Sequence, residues 1–115
     1  MTKAKLARPR TSIALPAELY ELLKAEAALR ETSVSSLIYG PICDRFSAPS
    51  REPLPEPMSM ESGKVIASFF CEPELFAAAV HEAERQHGKD GKRSVAGRVL
   101  AALILSSLKK EKAIY

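Results

Sequence analysis

"RTSIALP", Arg10 to Pro16, alternates along its length: Ile13 and Leu15 are apolar, and Arg10, Ser12 and Ala14 between them are charged or small. A two-residue period is that of a β-strand with one face for a core and the other for water or a polar partner. So short a strand cannot stand alone, because its backbone groups need a partner strand and its apolar face needs a cover. The rest of the chain has to supply both.

The cover begins at once. Pro16 suits the first turn of a helix, Glu18 and Glu21 sit near the positive end of its dipole, and Leu19, Leu22, Leu23 and Ala27 recur at helical spacing to about Arg30. Thr32 and Ser33 interrupt that pattern. Ser33 is a good N-cap for a second helix with Val34, Leu37, Ile38, Ile42 and Phe46 as its apolar stripe. Gly40-Pro41 predicts a kink or an early end there, because Pro41 lacks a backbone donor and its ring crowds the Leu37 carbonyl.

Residues 47–63, "SAPSREPLPEPMSMESG", hold Pro49, Pro53, Pro55 and Pro57 and show no periodicity, which predicts an extended, semi-rigid linker. Fully extended it could reach ~55 Å, enough to return the chain to the far side of a small domain. The pattern then restarts. "KVIASFFC", Lys64 to Cys71, is β-branched and aromatic, Pro73 and Glu74 open a helix, and Leu75, Phe76, Ala79, Val80 and Ala83 mark its stripe. After a loop, "HGKDGKR", Ser94 is expected to cap a last helix with Val95, Val99, Leu103 and Leu108 facing the core. "SVAGRVL" matches "SVSSLIY" of the first half, and the alignment sets Ile13 against Phe69 and Leu15 against Cys71. The chain is an internal repeat of strand, helix, helix.

Composition agrees with one small helical domain. The 115 residues are 46% hydrophobic but only 6% aromatic, so Ala and Leu fill the core, and the net charge of +3 permits an acidic partner. Basic charge is gathered in places: Lys3, Lys5, Arg8 and Arg10 precede any acid, and Lys89, Lys92, Arg93 and Arg98 face only Asp90. Two cysteines, Cys43 and Cys71, without a CxxC spacing and with no apolar signal segment at the N-terminus, suggest a cytoplasmic protein without a structural disulfide. The longest apolar run, Val99 to Leu105, is far short of the ~20 residues of a membrane span.

"RTSIALPAELYELLKAEA" followed by "TSVSSLI" resembles the ribbon-helix-helix DNA-binding family, in which two strands pair into an antiparallel ribbon that enters the DNA major groove above four interlocked helices. Two units fused through a proline-rich linker are similar to accessory proteins of conjugative relaxosomes and of T-DNA transfer. The resemblance implies a mainly α fold with a two-stranded antiparallel β-ribbon, a tandem pseudo-dimer acting as a monomer. Its parts are a basic arm at 1–7, a first unit at 8–46, the linker at 47–63 and a second unit at 64–110, with both units in one domain. One unit alone buries too little surface to be stable, whereas two interlocked units make a single core, and the tether keeps the second unit at millimolar effective concentration.

The implied function is double-stranded DNA binding, as a transcriptional regulator or as a plasmid or T-DNA transfer accessory factor. Arg10, Ser12 and Ala14 on the first strand and Ile66, Ser68 and Phe70 on the second would read bases. The second strand is the less polar, so readout is expected to be asymmetric. Ile66 and Phe70 would meet thymine methyls or be buried against the linker or another protein. Phosphates would be held by Ser33, Ser35 and Ser94 at helix starts and by Lys64, Lys92 and Arg93, with Lys3, Lys5 and Arg8 as a basic arm. Lys109, Lys110 and Lys112 suit the negative end of the last helix.

The alternative is a protein-interaction module, an antitoxin or assembly factor, that holds a partner through the apolar second strand and the C-terminal helix. No enzyme, metal or cofactor is expected. His81 and His87 do not have the HExxH spacing, and the chain has no phosphate-cradling glycine loop and no nucleophile motif.

Overall fold

The computed structural model describes residues 9–47, 52–61, 63–90 and 93–113, with only the backbone described at 89–90, 93–94 and 111–113. Strand β1 (Arg10–Pro16) leads into helix α1 (Ala17–Arg30) and helix α2 (Val34–Phe46). Strand β2 (Lys64–Phe70) leads into α3 (Pro73–His87), a short hairpin of β3 (Lys89–Asp90) and β4 (Arg93–Ser94), and α4 (Ala96–Ala113). The fold is mainly helical with a two-stranded antiparallel sheet of β1 and β2. No helix among the described residues is long and apolar enough to cross a membrane.

The partner that β1 requires is β2. Arg10 lies opposite Phe70, Ser12 opposite Ser68, Ala14 opposite Ile66 and Pro16 opposite Lys64. Alternation then sorts the side chains. Ile13, Leu15, Ala67 and Phe69 point into the core with Cys71 just beyond, and Phe69 sets the edge of its ring against Phe76, centroids 6.0 Å apart at 67°. Both cysteines are free.

The helices cross beneath the ribbon. α2 packs against β2 as well as α3 and α4, while α4 packs against β1, α2 and α3. Enclosed on several sides, α4 buries Val99, Leu100, Ala101, Ile104 and Leu108, more than the single stripe expected of it, while Leu103 is only half-buried. α1 has the opposite situation. It packs mainly against the ribbon and α2, where Leu19, Leu23 and Ala27 are buried, but Leu22, expected in the stripe, stays 46% exposed.

Two local expectations also change. α2 runs unbroken through Pro41 to Phe46, so the early end expected at Gly40-Pro41 does not occur. Ile38 and Ile42, on either side of the missing donor, are both fully buried, and that burial favours continuing the helix past it. The loop "HGKDGKR" contains the β3–β4 pairing, in which the Ser94 backbone stands opposite Lys89 rather than at the residue that directly precedes the helix. α4 begins two residues later, where the Val95 carbonyl accepts the Val99 N–H at 3.0 Å.

The proline-rich segment is fastened down. Leu54 is buried with Ala83, Val95, Ala96 and Val99, and its N–H donates to Gln86 Oε1 at 2.7 Å. Further along, Met58 and Arg98 clasp each other: the Met58 N–H donates to the Arg98 carbonyl at 3.1 Å, and Arg98 Nε donates to the Met58 carbonyl at 2.7 Å. The segment ends beside the start of α1, where the Ala17 N–H donates to the Gly63 carbonyl at 3.0 Å. Leu54→Ala is therefore expected to cost about 2 kcal/mol, the low end for a buried leucine because a peripheral segment can readjust. A lower urea midpoint with faster proteolysis within 52–61 would show it; an unchanged midpoint would mean that the segment adds no stability.

Gln86 is itself held. Its amide donates to Glu82 Oε2 at 2.7 Å, and Arg85 Nε donates to Glu82 Oε1 at 2.9 Å. These bonds, that of Arg85 first and that of Gln86 second, hold the Glu82 carboxyl at about 2, well below its ordinary 4.5. A depressed carboxyl stabilises the fold fully above its unfolded value, and that contribution fades as pH falls from about 4.5 towards about 2. Arg85→Ala should move the Glu82 midpoint, followed by carboxyl-carbon NMR, up towards the ordinary value, and no movement would remove Arg85 as the cause.

Candidate functional site

The outward face of the ribbon carries Arg10, Ser12 and Ala14 on β1 and Lys64, Ile66, Ser68 and Phe70 on β2. Two cations and no carboxylate lie on this face. Arg10 is at one end and Lys64 at the other, and the two serines face each other in the middle. Ile66 is 61% exposed and Phe70 47%, so neither is buried against the linker. All six residues expected to read bases are thus brought to one surface.

Arg10 is partly pre-positioned. Its Nη2 donates to Ser68 Oγ at 3.4 Å, a long bond across the ribbon that turns the guanidinium towards the centre of the face. Beyond β2, Tyr39 O–H donates to Glu72 Oε1 at 2.8 Å, which ties this carboxylate to α2. The outward residues of the two strands themselves carry positive charge only.

The helix starts divide in two. Ser33 is the N-cap of α2, its Oγ accepting the Ser36 N–H at 3.1 Å and its hydroxyl reaching Ser36 Oγ at 3.0 Å. Ser35 does something that the sequence did not announce: its Oγ accepts the Phe70 N–H at 3.3 Å, so the start of α2 is bonded to the end of β2. Nothing local in "TSVSS" signals this contact, because its partner is 35 residues away. At the equivalent start of α4, Ser94 and Arg93 lie in β4, and a Cβ at Gly97 would stand 3.6 Å from the Ala14 carbonyl oxygen. Lys3, Lys5, Arg8 and Lys92 lie outside the described residues.

One other concavity deserves comparison. A cleft of about 380 Å³ runs between α2, residues 52–53 and α4, lined by Asp44, Arg45, Leu103, Ser107 and Lys110 among others. The Arg45 guanidinium there donates to the Glu52 carbonyl. Its mixed charges give it no common sign, in contrast to the ribbon. Comparison with protein-family models, with curated proteins and with solved structures finds no match to this chain.

Proposed function

We propose that the chain is a sequence-preferring double-stranded DNA-binding protein of ribbon-helix-helix type, two units fused into a single-chain pseudo-dimer whose ribbon enters the major groove. The observation that carries the reading is the make-up of the ribbon: an apolar inner face on the helices and an exposed outer face of Arg10, Ser12, Ser68 and Lys64 without a carboxylate. A groove about 12 Å wide admits a two-stranded ribbon, and arginine and serine are side chains that bond base edges there.

The pseudo-dimer is supported by register. The repeat alignment that sets Ile13 against Phe69 also sets Ser12 against Ser68, and those two residues face each other in the ribbon. Residues at a local two-fold axis must pair in this way. The same relation takes Phe70, touched by the start of α2, to Ala14, approached by the start of α4. α2 against β2 and α4 against β1 form the crossed packing that such an axis demands.

In this reading Ser33 and the adjoining helix start hold phosphates, with Lys64 and the lysines and arginines at positions 3, 5, 8, 92 and 93 adding backbone affinity. The biological role is that of a transcriptional regulator or of an accessory factor in plasmid or T-DNA transfer. Exposure of Ile66 and Phe70 favours a second reading, a protein-interaction module that holds a partner on this strand.

Fluorescence anisotropy with duplexes selected from a random pool separates the two. The proposal expects a defined footprint and an affinity that falls steeply with salt, by ~0.9 in log K per log salt for each phosphate neutralised. Weak binding at every salt concentration, with a stoichiometric protein co-purifying, would support the second reading and sink the first.

A further inference from the structure

We infer that the ribbon is built for a non-palindromic site, with a guanine-bearing half under Arg10 and a thymine-rich half under Ala14 and Ile66, so that the protein docks in one orientation. The inference rests on the proposed groove-reading role and specifies its substrate.

Register determines which side chains share an end. Arg10 stands opposite Phe70 at one end, Ala14 opposite Ile66 at the other, and Ser12 opposite Ser68 between them. Two identical strands would present identical ends. Here the exchange of strands replaces Arg10 by Ile66 and Phe70 by Ala14, so the ends differ in kind.

The Arg10 end carries the one forked donor on the described face, suited to guanine O6 and N7, beside an apolar ring. Ala14 and Ile66 have neither donors nor acceptors on their side chains. They match the thymine C5 methyl, whereas a guanine O6 or cytosine amino group beneath them would lose water without gaining a partner. Lys64 lies beyond this apolar end as a compact point charge, fit for a phosphate and a poor substitute for the fork. A surface with cations at both ends and no carboxylate complements the anionic walls of the groove, which favours DNA as its occupant.

Selection from a random duplex pool tests this with the full chain and with the double variant Ile66→Arg/Phe70→Ala, which gives β2 the same outward Arg-Ser-Ala order as β1. Both side chains point away from the core, so folding should be retained. The wild type should select a motif with unlike halves and prefer it about tenfold or more over palindromes made by duplicating either half, the scale of one or more mismatched base pairs. The double variant should select a palindrome of the guanine-bearing half. Ile66→Ala alone should relax preference only in the thymine-rich half.

A palindromic wild-type motif, or salt-steep binding with no enriched motif, would overturn the inference and leave groove or backbone binding standing. Absence of both enrichment and salt-steep binding would overturn the DNA reading as well.

Discussion

Arg10→Glu is expected to lower affinity for the selected DNA site by at least about tenfold, the lower bound set by one bidentate base contact worth ~1–3 kcal/mol. Arg10 is exposed at the end of the ribbon, and its Nη2 bond to Ser68 leaves the other guanidinium donors for a partner. Reversal removes those donors and also sets a carboxylate against phosphates, so the loss should grow as salt is lowered. Stability should barely move, within ~0.5 kcal/mol, because the side chain is on the surface and supports no core group. Arg10→Lys should fall between, since it keeps the charge and loses the planar fork. If the glutamate variant binds the selected site as well as the wild type does, Arg10 has no part in recognition and the outward face of β1 loses its assigned role.

Phe69→Ala is the corresponding test of the core, and its expected cost is ~3–5 kcal/mol. Phe69 is fully buried, stands opposite Thr11 in the ribbon and packs edge-on against Phe76 of α3. Its removal opens a void beneath the ribbon, where one inward layer serves both strands and the helices under them. Domains of this size have ~5–15 kcal/mol of total stability, so the loss would take a third or more from all but the most stable. The urea midpoint should drop sharply at constant slope, and helical signal and tertiary signal should be lost together. Phe69→Leu should recover most of the loss, because it refills much of the volume. A small effect of Phe69→Ala would mean that β2 is not a core strand, and the ribbon would then lack the support that the DNA reading requires.

Much of this arrangement is already present in local pattern. The alternation of "RTSIALP" separates Ile13 and Leu15 from Arg10 and Ser12, because consecutive strand residues point to opposite faces, whereas "KVIASFF" is apolar on both faces and only its alignment with the first strand sets Phe69 inward and Ile66 and Phe70 outward. Ser33 is legible as a cap for the same reason of short range, its hydroxyl reaching only to Ser36. Other features depend on residues far apart in the chain. Leu22 fits a helical stripe equally well whether or not another element covers it, and in the fold it stays exposed. Pro41 is a breaker on local grounds, and the burial of Ile38 and Ile42 overrides it.

Composition identifies residues 47–63 as a linker but cannot say that Leu54 docks on α3 and α4, since proline content describes chain stiffness and not what lies beside the chain. Likewise, the unlikeness of the two strands is written in the sequence, whereas the pairing of Arg10 with Phe70 and of Ala14 with Ile66 is not. Strand register is a long-range choice, made by how two inward faces and four crossed helices fill one core. Period and capping belong to the sequence because they act within a turn or two of the backbone, and everything that joins one half of this protein to the other was decided by packing.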